Sequence, residues 1–145
     1  MEPIRVRCYF NLHRKVWSIK AMEGEQKGRV IQHATTVLLA DAKPVVSQKG
    51  RERVLRERSK NVHAYVEGRL SYAGNERLAL VPWATEVTYN PYKYTTFVRK
   101  SDTKQWLGGS AWALLQDRRV TVIGGVYGTY DGLERMGMEG KTDGQ

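Results

Sequence analysis

Apolar and polar residues alternate along much of this chain, and the places where the alternation fails are as informative as the runs themselves. Val6, Cys8, Phe10 and Leu12 fall on one face of the opening segment, with Arg5, Arg7, Tyr9 and Asn11 on the other. A period of two places successive side chains on opposite faces of a strand, so this segment predicts a half-buried strand with a cationic outer face. A polar break at His13-Arg14-Lys15 leads to VWSIKA, which reads as an antiparallel partner. EGEQKG, charged and bearing two glycines, marks a turn. RVIQH and TTVLLADAKPVVS are rich in β-branched residues and predict further strands. Pro44 cannot donate to a ladder and belongs at an edge, a bulge or a break. NVHAYVEGRL alternates again, placing Val62, Ala64, Val66, Gly68 and Leu70 inward and His63, Tyr65, Glu67 and Arg69 outward. Beyond it, YAGNER reads as a turn, LALVPWATEVTY as a strand pair interrupted near Pro82, and KSDTKQ as another turn. SAWALLQ fits either a short helix, with Trp112 and Leu115 at i, i+3, or a strand end. RVTVIGGVYGTY closes as a strand whose glycines signal a bulge or a close backbone approach.

One segment carries convincing helix signals, between Ser47 and Lys60. Ser47 is a candidate N-cap, while Glu52/Arg56 and Arg53/Glu57 stand at i, i+4. Its apolar stripe is thin, Val54 and Leu55 with Val46 nearby, which predicts shallow packing. Gly50 should weaken its first turn by about 1 kcal/mol relative to Ala. About seven to nine strands with one or two short helices predict the α+β class: a single β-rich domain, mainly antiparallel, over residues 1–130. Residues 131–145 hold four glycines and only Leu133, Met136 and Met138 as apolar anchors, which predicts a flexible tail.

Charge changes the picture more than composition does. At 145 residues, with 41% hydrophobic residues and one Cys, the chain fits one globular core without disulfides. No apolar run approaches the roughly 20 residues of a membrane helix, and MEPIRVRCYF has no signal-peptide core, so a reducing, cytosolic setting without a membrane partner is expected. Lys and Arg number 24 against 15 Asp and Glu, a net charge of +9, and the acidic last segment leaves residues 1–130 more positive still. The highest density is KGRERVLRERSK, with six cations and two acids. Lys49, Arg53, Arg56 and Lys60 stand at spacings of four, three and four, which on a helix forms one stripe suited to a phosphate backbone. Arg51 and Arg58 align instead with Val54 and Leu55. The ordinary alternative is a solvated face. A second cluster, YNPYKYTTFVRK, interleaves Tyr89, Tyr92, Tyr94 and Phe97 with Lys93, Arg99 and Lys100. Such a loop can stack on unpaired bases, form a protein-binding hot spot, or simply cap the core with its rings.

Enzymatic motifs are sparse. Cys8, His13, His33 and His63 are scattered without metal-ligand spacing, and neither a metal nor another cofactor is expected. Asp41-Ala42-Lys43 matches a nuclease fragment only by chance. His63 and Glu67 flank Tyr65 on one predicted strand face, with Arg69 beyond, a constellation that permits metal-independent RNA cleavage but also describes any solvated sheet face.

The runs CYFNLHRKVWSIKA, GRVIQHATTVLLADAKPVVSQKGRERVLRERSKNVHAYVEGRL and YNPYKYTTFV resemble a family of small proteins of tailed bacteriophages and prophages, over roughly residues 4–100. The likeness lies in residue order, carries no catalytic motif and transfers no activity. It implies a host bacterial cytoplasm and accessory roles around host nucleic-acid machinery or antiviral defence. The expectation is a non-enzymatic protein that binds DNA, RNA or a host nucleoprotein complex. Its cations would be Lys49, Arg51, Arg53, Arg56, Arg58, Lys60, Arg69 and Lys93, and its rings His63, Tyr65, Tyr89, Tyr92 and Tyr94. The alternatives are a protein-binding, anti-CRISPR-like inhibitor of a host defence system and, less so, a metal-independent RNase.

Overall fold

The computed structural model describes residues 3–130, and the tail expected at 131–145 lies outside them. β1 (Arg5–Asn11) and β2 (Val16–Ala21) form an antiparallel hairpin. The polar break between them is a turn closed by Asn11, whose Oδ1 accepts the backbone N–H groups of His13 and Arg14 at 3.0 Å each. β3 (Val30–Ala34) pairs with β2, and β4 (Thr36–Val46) follows. β4 pairs on one side with β5 (Ala64–Gly74) and on the other with β8 (Asp102–Gln116). Asp41, at φ 49°, marks a break in the register of β4. The ladder to β8 stops at Ala42, so Pro44 pairs only with Val66 of β5 and needs no N–H on its other side.

The second half departs from the expected element boundaries. Tyr72–Gly74 continue β5 instead of turning, because Leu38, Val37 and Thr36 pair with them. LALVPWATEVTY yields a single strand, β6 (Thr85–Thr88), with residues 78–83 outside any strand. After β7 (Val98–Arg99) the chain enters β8, which begins at Asp102 inside the expected KSDTKQ turn. SAWALLQ is strand, its backbone paired with β4 on one side and β9 (Arg119–Ile123) on the other. RVTVIGGVYGTY is two strands, β9 and β10 (Val126–Thr129), separated at Gly124, φ 66°. Asp117 and Arg118 both have positive φ (57° and 59°), the two-residue hairpin turn that matches strand twist, and this places Arg118 at a tip.

Among the described residues there is one helix, α1 (Gln48–Glu57), so the class is α+β, dominated by antiparallel sheet. Ser47 Oγ accepts Gly50 N–H at 3.1 Å, the expected N-cap. The helix ends short of Lys60 because Arg58 turns left-handed (φ 56°) and its N–H caps Val54 O at 2.8 Å.

The hydrogen-bonded order runs β3-β2-β1-β5-β4-β8, and β8 then joins β7 and β9, with β6 pairing both. One apolar cluster nevertheless contains Trp17 and Ile19 from β2 together with Val87 from β6 and Val120 from β9. The sheet therefore curls until its ends share a core. β1 pairs with β2 and β5, and between β1 and the β6/β9 end the curled sheet is left with a seam.

Gly68 is fully committed to this curl. A Cβ there would lie 2.7 Å from Ala40 O and 3.0 Å from Leu39 Cβ, where β5 crosses the irregular stretch of β4. Gly68→Ala should lower the unfolding free energy by about 1–3 kcal/mol, the usual cost of overpacking, as measured by urea denaturation.

Candidate nucleic-acid interface

The seam opens into a cleft of about 1020 Å³. One wall is the end of β1, with Tyr9 and Phe10, backed by Trp17. Another part is β6 and the segment after it, with Val87, Tyr89 and Tyr92. The C-terminal end of α1 and the β8–β9 hairpin tip complete the lining. Aromatic contacts run through these walls. Phe10 meets Trp17 edge-on at 5.4 Å, Tyr9 meets Tyr65 at 5.9 Å, and Tyr89 lies 5.4 Å from Phe97.

Cations stand at both ends. Arg58 lies over the Tyr92 ring at 5.8 Å, and Arg118 over Phe10 at 4.9 Å. Lys60 and Arg119 also line the cleft. Among the described residues, no carboxylate comes within 4.0 Å of Arg58, Lys60, Arg118 or Arg119. The acid in the lining, Glu86, is paired with Lys100 at 3.2 Å. Several other arginines are paired with acids. The cationic face expected on β1 is one such case, because Glu67 holds both Arg5 and Arg7 at 2.8 Å.

The residues singled out in the sequence divide accordingly. Arg58, Lys60, His63, Tyr65, Tyr89 and Tyr92 line the cleft. Lys49, Arg53 and Arg56 are exposed on the far side of α1, where Arg53 and Arg56 share Glu57 at 3.2 and 3.7 Å; the expected Glu52/Arg56 pair is replaced by Glu57. Arg51 turns inward and donates from Nε to Pro91 O at 3.0 Å, and Gln48 donates to Thr95 O, so α1 fastens the tyrosine loop. Arg69 pairs with Asp41 at 3.5 Å, away from the cleft, and Lys93 and Tyr94 also lie outside its lining. Phe97 is buried in the core. Arg118, Arg119, Tyr9, Phe10 and Trp17 escaped the sequence reading as site residues. Recognising the two-residue QDRRV connection as a hairpin was the one available signal for the arginines.

His63 is not on a solvated face: it is 7% exposed, because Gly50 of α1 and Tyr89 close over it. Its Nδ1 donates to Asn61 O and its Nε2 accepts from Tyr89 Oη, both at 2.8 Å. Burial pushes the Tyr89 phenol up to about 12, against the opposing charge of Arg51, so Tyr89 remains a donor. Burial raises the pKa of Glu67, but hydrogen bonds and charges from Arg5 and Arg7 outweigh that and hold it below its ordinary value. The pair weighed for RNA cleavage thus consists of a histidine with both nitrogens engaged and a carboxylate held by two arginines. Cys8 is fully buried, which raises its thiol to about 12 and leaves it a small apolar filler. Among the described residues no three of His, Cys, Asp or Glu gather as metal ligands.

A family model described as the Mycobacterium phage L5 gene 82 protein matches residues 1–123. The chain belongs to that family. The gene 82 protein of Mycobacterium phage L5 is 44% identical over 116 residues, covering 74% of this chain and 86% of the relative. No solved structure matches. The family match runs past residue 100, where no likeness was read, and takes in the 117–119 hairpin tip. Among the described residues of this phage protein, no helix is long and apolar enough to cross a membrane.

Two measurements probe this architecture. A Cβ at Gly50 would sit 2.6 Å from His63 Cβ. Gly50→Ala, which in a free helix stabilises by about 1 kcal/mol, should here lower the melting temperature. The depressed Glu67 carboxyl contributes stability that is complete above its ordinary value of 4.5 and is lost as pH falls through its lower folded value. Glu67→Gln should cost about 1–3 kcal/mol at neutral pH and flatten that acid limb, as followed by denaturation between pH 3 and 7.

Proposed function

We propose that this phage protein binds nucleic acid in the cleft, without catalysing a reaction on it. The carrying observation is that four cations without a salt bridge among the described residues, Arg58 and Lys60 at the helix end and Arg118 and Arg119 at the hairpin tip, line one aromatic-walled cleft. Phosphates supply the affinity in such a site, and each neutralised phosphate releases counterions. Lys49, Arg53 and Arg56, exposed on the far side of α1 with the two arginines sharing Glu57, stand outside this site. This keeps the basic helix and the tyrosine loop in the site but moves its centre from the helix surface to the helix end.

A second reading, an inhibitor that docks on a host defence protein, draws on residues outside the cleft lining. Leu80, Trp83 and Val126 are 57%, 68% and 72% exposed, large apolar groups left in water. A host partner retained after nuclease digestion and lost on Trp83→Ser would favour it over the nucleic-acid reading.

Fluorescence anisotropy with short labelled DNA and RNA tests the main proposal. Four phosphate contacts correspond to a log–log salt slope of about −3, hence a loss of roughly a hundredfold in affinity between about 50 and 300 mM salt. Absent or salt-insensitive binding overturns it. Arg118→Gly should reduce the slope by about 0.7–0.9. The same variant should keep or raise the melting temperature, since glycine suits a φ of 59°.

A further inference from the structure

We infer that the cleft takes unpaired nucleotides, with bases entering between the aromatic walls and phosphates remaining at the cationic ends. This rests on the nucleic-acid reading and goes beyond it, since cations alone bind duplex and single strand alike.

Three observations carry it. The first is the chemistry of the lining. Along with Arg58 and Arg118 the cleft presents Tyr9, Phe10, Tyr65 and Tyr92, whose ring surfaces can stack on base faces, a contact that a sugar–phosphate chain without bases cannot make. In a duplex the base faces are stacked on one another and unavailable to such walls. The second is size. About 1020 Å³ lies at the upper end of ordinary small-ligand sites, so the cleft accommodates more than a lone anion at its rim.

The third observation is independent of both. Trp17 lines the cleft and is 5% exposed, yet its indole Nε1 is buried without a hydrogen-bond partner. An indole N–H is a donor only, and a buried donor without an acceptor is a costly arrangement. Nucleobase edges carry acceptors in every base, at ring nitrogens or carbonyl oxygens. A base in the cleft would supply the missing acceptor. The neighbouring Phe10 packs on Trp17 at 5.4 Å and lies under Arg118 at 4.9 Å, so an aromatic pair and a cation adjoin this donor.

The test compares three single strands of equal phosphate charge with a duplex of the same length, which carries about twice that charge. An oligothymidylate of about twelve nucleotides, within the usual footprint of one small domain, is titrated beside its oligouridylate counterpart, an abasic deoxyribose-phosphate strand of the same length, and a duplex. At fixed salt the base-bearing single strands should bind at least about tenfold more tightly than the abasic strand or the duplex. Tyr92→Ala, at a position 52% exposed and so tolerant of truncation, should weaken the base-bearing strand about fivefold or more and leave the abasic strand unchanged. Trp17→Phe, which removes the N–H and keeps an aromatic ring, should act in the same direction. Preference for thymidylate or uridylate distinguishes DNA from RNA as the source of the strand, and either supports the inference. Equal, salt-dependent binding of all four probes overturns it while leaving the phosphate reading intact. No binding of any probe overturns both.

Discussion

Backbone pairing along both sides of β8 is the constraint from which the rest of the molecule follows. Over Ser110–Gln116 this strand is bonded to β4 on one side, and over Trp112–Gln116 to β9 on the other. Its earlier half is bonded to β7 and β10. A strand satisfied on both sides commits its neighbours to positions around it. Through β4 and β5 it holds β1, and through β9 and β7 it holds β6. The twist of the intervening strands then brings β1 and β6 to face each other across one core. Because β1 spends its hydrogen bonds on β2 and β5, it meets the β6/β9 end through side chains of the shared core. The cleft is the consequence of that incomplete closure.

Charge is distributed with respect to the same seam. Arginines on the sheet surface are matched locally: Arg5 and Arg7 by Glu67, Arg69 by Asp41, Arg77 by Asp117. The Arg69 and Arg77 pairs are exposed and contribute little to stability, but all of these pairs cancel one another's field at short range. Along the cleft, Arg58, Lys60, Arg118 and Arg119 make no salt bridge among the described residues, Asp117 beside the hairpin arginines is bonded to Arg77, and the acid in the lining, Glu86, is occupied by Lys100. Four cations without a salt bridge thus stand where the aromatic walls open. This local imbalance, more than the total of +9, underlies the proposed preference for a polyanion.

Helix α1 serves two purposes with one set of residues. Its inner side is architectural: Gly50 admits His63, Arg51 and Gln48 hold the backbone of the tyrosine loop, and Val54 is buried. Its end is directional, since the left-handed Arg58 terminates the helix and sends Arg58 to Lys60 along the cleft. A helix with so thin an apolar stripe is held less by burial than by these polar attachments. The glycine that looks like a flaw in its first turn is what lets it lie close to His63.

Local alternation and turn chemistry were enough to determine the early strands, the Ser47 cap, the inward Cys8, and the antiparallel β-rich class, because a period of two and a capping hydroxyl act over a few residues. The richness in arginine around the helix was equally plain in the chain. What side chains would meet was decided only by tertiary structure. Whether Arg5 is free depends on Glu67, 62 residues away, and whether His63 is exposed depends on Tyr89, 26 residues away. SAWALLQ became strand because β4 and β9 offered it partners, and Phe10 and Trp17 became walls of a cleft because the sheet curled without closing. Composition and order specify what each segment can form. Long-range backbone pairing settles which charges are cancelled and which surfaces are left open, since both depend on neighbours that the linear chain does not place side by side.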